Sequence, residues 1–390
     1  MSNLGIYIQV PFCQARCTYC NFHTGVVSSD RFAPYATAVC REIREHQTLY
    51  HTVGVELPQD FSGAVVDTVY IGGGTPSLLD PRHLHSMIGA IRDVFVGDLR
   101  EITLEADPET ITSAKADAWA ASGINRVSFG VQSFVDTELA AAGRLHRRED
   151  VYRAVPLLRQ AGITNISFDL IAGLPHQTRE SWQQSLDELT ALQPQHVSVY
   201  LLEVDEGSRL GREVLAGGKR YSAGALPTDD AMADSYETAA KSLVGAGYHH
   251  YEISNWAKPG HESKHNLKYW RRQPYLGFGA GAHSFSGTQR WANAHDAAAY
   301  AQSVSVQQRL PIEQLENLGA KQALDEELFL GLRQLDGINL KRIEAAYGAD
   351  LQPKISSLQA SGLVEREGDL VRLAPDKLSI SNEVFVQLLT

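Results

Sequence analysis

Three cysteines near the start of the chain have the types and spacing suited to metal chemistry. Cys13, Cys17 and Cys20 are spaced CxxxCxxC and directly follow an apolar run at residues 6–10 that predicts a strand. A structural zinc site usually takes four protein ligands, and no fourth Cys or His has a paired spacing here. A 4Fe–4S cubane fits better, because three cysteines hold three irons and leave the fourth open to a small molecule. A three-cysteine zinc site and three unliganded cysteines are the alternatives.

Polar or glycine residues follow four further predicted strands. They are Gly72-Gly73-Gly74-Thr75, Glu105, Gln132 and Asp169. Because the carboxyl ends of barrel strands share one face, we expect these residues to converge with the cysteines. Glycines let a ligand approach the backbone closely, carboxylates accept hydrogen bonds from ammonium or hydroxyl groups, and the fork of Arg144 suits a ligand carboxylate. Taken singly, a glycine triplet is more often a turn and a strand-end glutamate a helix cap.

Short strands that alternate with helical patterns must position these residues. The predicted strands cover residues 6–10, 68–71, 102–105, 126–130, 166–171 and 196–201. The predicted helices cover residues 30–49, 81–96, 113–121, 149–160 and 179–192. Gly123 and Gly162 lie where helix C-caps are expected. This alternation implies an α/β fold with parallel strands and right-handed crossovers. Six units are too few for a closed eight-stranded barrel, and a doubly wound sheet is the alternative.

The cysteine spacing, together with Gly72-Gly73-Gly74-Thr75-Pro76, resembles the radical S-adenosylmethionine (SAM) family. The closer resemblance is to the branch that contains oxygen-independent coproporphyrinogen III oxidases and their heme-chaperone relatives, and it runs along nearly the whole chain. It implies a partial (β/α)6 barrel, with a 4Fe–4S cluster on Cys13, Cys17 and Cys20 that passes an electron to bound SAM. It also implies a set of SAM contacts, namely Tyr7, Tyr19, Gly73, Gly74, Thr75, Glu105, Gln132, Arg144 and Asp169.

Two local features distinguish the members of that branch. The oxidases carry a further cysteine two residues after the third, where this chain has Phe22. An aromatic residue at that place is typical of the heme chaperones, although Asn21 replaces the acidic residue common there. The second feature is the run His265-Asn266-Leu267-Lys268-Tyr269-Trp270, which matches the HNxxYW motif associated with heme binding. Both features favour the heme-chaperone side.

The surroundings of this motif are rich in histidine and aromatic residues. Five of the 14 histidines fall between residues 249 and 283. Six aromatic residues are interleaved with them, namely Tyr251, Trp256, Tyr269, Trp270, Tyr275 and Phe278. A neutral imidazole is a common axial ligand of heme iron, and flat rings suit a porphyrin face. We therefore predict that His265 contacts heme, with His261 and His283 next in order; a surface loop with ordinary hydrogen bonds is the alternative.

The sequence predicts three regions. Residues 1–225 form the barrel, residues 226–310 a helix and a His- and aromatic-rich linker, and residues 311–390 a C-terminal α+β unit. The last region has three helical patterns, two short strands and a final helix, which resembles a winged helix. From Leu315 onward it carries 8 Lys and Arg against 12 Asp and Glu, which argues against DNA binding. We interpret it as a lid or docking module.

Composition and charge limit the classes of partner and the cellular location that we expect for this protein. The net charge of −11 disfavours a general affinity for nucleic acid or anionic lipid. No apolar run approaches the roughly 18 residues of a membrane span, and the start of the chain lacks the basic region of a signal peptide. Three clustered cysteines indicate metal binding and a reducing cytoplasm rather than disulfides. Cys40, in a helical pattern, is interpreted as a small core residue.

These observations predict a cytoplasmic radical-SAM-type protein that binds heme and transfers it to acceptor proteins that the sequence does not identify. The alternative from another class is an enzyme, an oxygen-independent coproporphyrinogen III oxidase. A third, weaker alternative is heme modification or breakdown by radical alkyl transfer. Radical chemistry would also need an electron donor.

Overall fold

The computed structural model describes residues 3–58, 61 and 64–389. Its centre is a run of six parallel strands that pair in sequential order. They are β1 (Asn3–Val10), β2 (Val65–Gly73), β3 (Glu101–Ala106), β4 (Arg126–Gln132), β5 (Asn165–Ala172) and β6 (His196–Leu201). The order never reverses, and β1 and β6 do not pair with each other. The predicted partial barrel is therefore confirmed, and the doubly wound alternative is wrong.

Helices connect the strands at the predicted places. They are α1 (Phe32–Thr52), α2 (Pro81–Val94), α3 (Ser113–Ser122), α4 (Asp136–Ala141), α5 (Arg148–Gln160), α6 (Arg179–Leu192) and α7 (Arg209–Leu215). Local signals explain the boundaries: Thr112 and Thr178 accept hydrogen bonds at helix N-termini. Gly123 ends α3 with a φ of 94°. The short helices α4 and α7 were not predicted.

The two faces of the parallel sheet differ in polarity. Alternate residues such as Ile8, Val69 and Phe129 are fully buried in the core together with residues of the surrounding helices. The residues between them point the other way and are polar or small. Examples are Tyr70, Thr103, Glu105, Ser128, Asp169 and Ser198. A parallel sheet covered by helices on both faces is apolar throughout, so this alternation indicates that the inner face lines a polar interior.

Residues 226–310, predicted to be a helix and a linker, extend the sheet at both edges. They contain α8 (Asp229–Gly245), β7 (His249–Glu252), β8 (Asn255–Ala257), α9 (Lys264–Trp270), β9 (Tyr275–Phe278), β10 (His283–Phe285), β11 (Gln289–Asn293) and α10 (Ala297–Gln302). Strand β8 pairs with β6 and β7 follows it, whereas β9 pairs with β1 and leads to β10 and β11. The resulting sheet has 12 strands, with β12 (Ile312–Asn317) outermost beside β11.

The C-terminal part forms the predicted winged-helix-like unit. It consists of α11 (Ala320–Leu332), β13 (Ile338–Asn339), α12 (Leu340–Tyr347), α13 (Gln352–Ala360), β14 (Val364–Glu367), β15 (Leu370–Leu373) and α14 (Ser381–Leu388). Its three strands pair in the order β13-β15-β14. Because β12 belongs to the large sheet, we propose that this unit begins after Asn317 rather than at residue 311. Within the described ranges, no helix combines the length and the apolar character needed to cross a membrane.

Candidate functional site

Backbone hydrogen bonds hold the cysteine loop over the carboxyl end of β1. The N–H of Cys13 donates to the carbonyl of Gly25 (3.0 Å), and the N–H of Thr18 donates to that of Ala142 (2.9 Å). The N–H of Leu210, in α7, donates to the carbonyl of Thr18 (2.8 Å). Cys13, Cys17 and Cys20 are all partly exposed and free of disulfides. The loop is thus fixed from three sides while its thiols stay accessible.

The glycine-rich turn after β2 packs directly against the cysteine loop. The N–H of Gly74 donates to the carbonyl of Val10 (2.8 Å), and that of Thr75 donates to the carbonyl of Phe12 (2.6 Å). A Cβ on Gly74 would lie 2.5 Å from the Phe12 carbonyl oxygen and 2.9 Å from the Cys13 sulfur. Glycine is required there because the two loops approach so closely.

The three cysteines line a cavity of about 430 Å³ at the carboxyl ends of the strands. Eight of the nine residues predicted to contact SAM line the same cavity: Tyr19, Gly73, Gly74, Thr75, Glu105, Gln132, Arg144 and Asp169. The ninth, Tyr7, lines a different cavity, where its hydroxyl donates to Oε1 of Gln9 (2.6 Å). The expected convergence is therefore observed for eight residues, and their roles toward a ligand stay predictions.

Two carboxylates lie on the inner face of the cavity. Glu105 accepts hydrogen bonds from the N–H of Gly73 (2.9 Å) and the hydroxyl of Tyr70 (2.9 Å). Burial raises the pKa of Glu105 to about 7, and the nearby Asp169 adds to the shift. Burial likewise raises the pKa of Asp169 to about 6, against the effect of hydrogen bonds from Ser198 and Ser128. Both groups would be more stably ionised if a cationic ligand lay beside them.

The guanidinium group of Arg144 already has several partners within the protein. It forms an ion pair with Asp107 and donates to the carbonyl of Gly130 (2.8 Å). Its Nη1 lies 3.5 Å from the sulfur of Cys17. Asp107 also accepts a hydrogen bond from the hydroxyl of Thr75 (3.2 Å). The pair therefore connects the ends of β2, β3 and β4 to the cysteine loop, and a ligand carboxylate would share Arg144 with Asp107.

Sequence reasoning missed several residues of this cavity. They are Asp107, Ser128 and Tyr200, which line it, and Tyr70, which positions Glu105. The alternation of side chains along a strand could have indicated Asp107. Thr103, Glu105 and Asp107 are every second residue along β3 and just beyond it, so they share one side. Gln132 is also unusual, because its φ of 64° at the end of β4 is rare outside glycine. Such conformations often occur where a binding site constrains the backbone.

The donor set fits an iron–sulfur cluster with an open position. Three thiols face one cavity that has room for a further ligand. The fourth cysteine, Cys40, lies in α1 and is 7% exposed, away from the loop. Phe22, at the place of the oxidases' additional cysteine, lines the same cavity and is 66% exposed. The described residues near the loop thus offer three thiols and an exposed aromatic ring.

The structure does not support the prediction that His265 is an axial heme ligand. His265 is fully buried in α9, which closes the interior at the amino ends of the strands. Its Nδ1 lies 3.0 Å from the hydroxyl of Thr68, and its Nε2 lies 2.9 Å from the hydroxyl of Tyr269. Burial, with a smaller effect from Lys268, lowers the pKa of His265 to about 3. Neither ring nitrogen is open to an iron atom.

The other histidines of this region are close in sequence but separated in space. His250 stacks on Trp256 at 4.0 Å, at the β7 edge of the sheet. The carbonyl of His261 accepts a hydrogen bond from Arg126 (3.2 Å). His283 is exposed at the start of β10, on the opposite side of the parallel strands. Their density in the sequence therefore does not correspond to one histidine cluster.

Comparisons with known proteins agree with this architecture. Residues 7–189 match the model of the radical SAM superfamily, and residues 318–376 match that of the HemN C-terminal domain. The chain is 34% identical to the heme chaperone HemW of Bacillus subtilis over 385 residues, which covers 97% of each chain. It is 34% identical to HemW of Escherichia coli over 72% of this chain and 69% of that one.

The fold also resembles a solved structure. Coproporphyrinogen III oxidase (HemN) from Escherichia coli, described as a radical SAM enzyme, superposes with a TM-score of 0.81. The match covers 100% of this chain and 90% of that one at 22% identity, a level that shows a shared fold alone. The identity to the Bacillus subtilis relative extends over the barrel, the edge strands and the C-terminal unit. The chain therefore belongs to the HemW family within the radical SAM superfamily.

Proposed function

We propose that this protein holds a 4Fe–4S cluster and SAM in the carboxyl-end cavity, binds heme, and transfers the heme to acceptor proteins. The observation that carries the proposal is the convergence of three thiols and eight predicted ligand-binding residues on one cavity. The heme-chaperone part is supported by relatives of that name along nearly the full chain. Phe22, in place of the oxidases' additional cysteine, also favours it. We propose a cytoplasmic location, consistent with clustered cysteines.

Each polar residue of the cavity would have a separate task. Cys13, Cys17 and Cys20 would bind the cluster, which would supply one electron to SAM. The N–H of Gly73 holds the carboxylate of Glu105 in place, and Glu105 would accept hydrogen bonds from an ammonium group. Arg144 would bind the ligand carboxylate while Asp107 holds its guanidinium in place.

A ligand ammonium group would also stabilise the ionised form of Glu105. Its pKa is raised to about 7, mainly by burial, so this carboxyl group takes up a proton more readily than an exposed glutamate does. A positive charge next to it would favour loss of that proton. Ligand binding in the cavity should accordingly release a fraction of a proton near pH 7, which calorimetry in buffers of different ionisation enthalpy detects.

The proposal can be tested with the full chain, reconstituted anaerobically with iron and sulfide. One sample receives hemin, and another receives coproporphyrinogen III with SAM and a reductant, an electron donor of the kind that radical chemistry would require. We expect a Soret band with hemin and no protoporphyrinogen in the second sample. Protoporphyrinogen formation without a Soret band would overturn the chaperone proposal in favour of coproporphyrinogen III oxidase.

A transfer measurement completes this test. Apomyoglobin serves as a probe acceptor, and its heme uptake from the loaded protein is compared with uptake from free hemin. We expect the loaded protein to release its heme to the probe, with Cys17→Ala as the matched sample lacking the cluster. Heme that stays on the reconstituted protein would contradict the transfer step.

A further inference from the structure

A second cavity, of about 490 Å³, lies where the C-terminal unit meets β9, β10 and β11, the strands that extend the sheet beyond β1. We call it the seam cavity. It is lined by Tyr275, His283, Phe285 and Arg290 from the edge strands and by Glu326 and Phe329 from α11. Its volume lies in the range of sites that hold small organic molecules, about 300–1,000 Å³. It shares no lining residue with the carboxyl-end cavity. The two cavities are neighbours, because Tyr7 and Gln9 also line the seam cavity and the side chain of Gln9 packs against Gly73 of the carboxyl-end cavity.

Aromatic rings form much of its wall. The rings of Tyr269 and Tyr275 meet edge to face at 4.7 Å between centroids. Tyr275 and Phe285 follow at 6.3 Å, and Phe329 contributes from the opposite side. Rings of this kind offer large apolar faces to a flat ligand. The wall therefore suits a planar, hydrophobic molecule.

Two arginines give the seam cavity an anion-binding side. Arg272 and Arg290 both pair with the carboxylate of Glu326, at 2.9 Å and 2.7 Å. Both guanidinium groups also lie over the ring of Phe285, at 4.8 Å and 5.5 Å from its centroid. Two guanidinium groups thus share one carboxylate from α11. A ligand with two carboxylates could take the place of Glu326 and give each arginine its own partner.

The backbone of Arg272 is in a conformation that is uncommon for its residue type. Its φ is 51°, in the left-handed region, directly after the end of α9. Its N–H donates to the carbonyl of Tyr269 (3.0 Å), which stabilises this turn. The N–H of Gln273 donates to the carbonyl of Lys268 (2.8 Å), so this left-handed turn is a common way to end a helix. Here the turn directs the guanidinium of Arg272 to the seam cavity.

A histidine lies at the rim of the seam cavity. His283 is exposed, and among the described residues no hydrogen-bond partner contacts its ring nitrogens. Partial burial of the imidazole ring lowers its pKa, with smaller contributions from the neighbouring His295, Arg290 and His23, which favours the neutral form. A neutral imidazole with free nitrogens is the form that ligates iron. This is the property that His265 lacks.

We propose that the seam cavity is the heme site, which rests on the proposed heme-binding function. The porphyrin would lie against the aromatic wall, its two propionates would pair with Arg272 and Arg290, and His283 would ligate the iron through a ring nitrogen. Ligation forms one nitrogen–iron bond and changes no oxidation state. Because the propionates compete with Glu326, heme binding would weaken the contact of α11 with the edge strands. Heme loading would thereby be coupled to the position of the C-terminal unit.

The ligand assignment is tested by spectra of the reconstituted full chain with hemin. His283→Ala should shift the Soret band and change the iron spin state, and the exposed His249→Ala, at the far β7 edge, should match the wild type. His283 is exposed, so the variant should fold, which circular dichroism checks. If the wild type binds hemin and His283→Ala has the same spectrum and spin state, the assignment is overturned while the proposed function stands. If the wild type binds no hemin, both fail.

The propionate contacts are tested with paired variants and two porphyrins. Arg290→Gln should weaken hemin binding by roughly tenfold or more, the scale of one charge-assisted hydrogen bond. Binding of hemin dimethyl ester, which lacks the carboxylates, should not change. Glu326→Gln should tighten hemin binding, whereas Glu327→Gln, which affects the pair with Arg342 inside the C-terminal unit, should not. Equal hemin affinity in wild type, Arg290→Gln and Glu326→Gln would overturn the seam-cavity proposal.

Discussion

Both ends of the barrel interior contain buried polar residues. The ends differ in whether those residues already have partners within the protein. At the carboxyl end, Glu105 and Asp169 face a cavity and have raised pKa values because they are buried. At the amino end, the inward-pointing His265 and Lys268 of α9 both have partners. His265 contacts Thr68 and Tyr269, and Lys268 pairs with Asp67 at 2.7 Å. The two carboxylates at the first end can therefore accept hydrogen bonds from a ligand, whereas His265 and Lys268 are occupied by partners within the protein.

This comparison distinguishes polar residues that are available to a ligand from polar residues that stabilise the fold. Gly5 shows how closely α9 approaches the sheet, since a Cβ there would lie 2.9 Å from the side chain of Lys268. Glu101 accepts hydrogen bonds from the N–H groups of Lys264 and His265 at the start of α9. The HNxxYW segment therefore closes the barrel. Changes at the cavity should alter cofactor binding, and changes in α9 should alter stability.

The largest expected effect is on the cluster. Cys13→Ala, Cys17→Ala or Cys20→Ala should each remove essentially all cluster iron, because the loop has no other thiol to replace the lost ligand. Cys40→Ala, in the core of α1, should keep the iron content of the wild type. Iron analysis and cluster absorbance measure both. Equal iron loss from Cys40→Ala would show a fourth cysteine ligand and no open position.

The next largest effect is expected on the free energy of unfolding, for a change in α9 at the amino end of the barrel. His265→Ala should lower the free energy of unfolding by about 2–4 kcal/mol, since it leaves a cavity and two buried hydroxyl groups without partners. The exposed His249→Ala is the control. Denaturant unfolding gives the free energies. The heme spectrum of folded His265→Ala should match the wild type, and a changed iron spin state would restore His265 as the ligand.

A smaller effect is expected for SAM. Arg144→Ala should weaken SAM binding by roughly 1.5–3 kcal/mol through loss of a charge-assisted bond, with the cluster intact. Arg148→Ala nearby, which breaks an exposed pair with Glu188, should bind SAM like the wild type. Calorimetry under anaerobic conditions measures both affinities. Unchanged SAM affinity in Arg144→Ala would remove this residue from the site.

The smallest effect is a pH dependence of stability. The pKa of His265 is lowered to about 3 in the folded protein, whereas an unfolded histidine titrates near 6.5. Between these values the unfolded chain binds more protons, so stability falls as the pH drops below about 6.5. His265→Gln should lose on the order of 1–2 kcal/mol less than the wild type between pH 7 and pH 5. Parallel pH profiles for the two proteins would contradict the buried neutral state.

The sequence was sufficient to predict the barrel and most of the residues that line the carboxyl-end cavity. Strand ends are local features, and parallel strands bring them together without further information, so Gly73, Glu105, Gln132 and Asp169 could be grouped correctly. Asp107 was not predicted because it lies just beyond the end of β3, and only the alternation of residues along that strand indicates its side. The pairing of Arg144 with Asp107 was also not predictable, since it joins two loops that only the closed fold brings into contact.

The histidine-rich region shows where sequence reasoning fails. Spacing along the chain says little about spatial proximity once strands separate, and β7 and β10 lie on opposite flanks of the parallel strands. The exposure of a residue within a motif is likewise a tertiary property. His265 and His283 have the same chemistry, yet the first is a buried residue of α9 and the second lies at the rim of a cavity. Only the packing distinguishes a structural histidine from a candidate ligand.

The central claim, that the carboxyl-end cavity holds a cluster with an open position for SAM, has one most direct test. Electron paramagnetic resonance of the reduced, reconstituted protein is recorded with and without SAM, in the wild type and in His265→Gln. The account predicts that SAM changes the cluster signal in both proteins, because α9 lies at the other end of the barrel. A wild-type cluster signal that SAM leaves unchanged would contradict it.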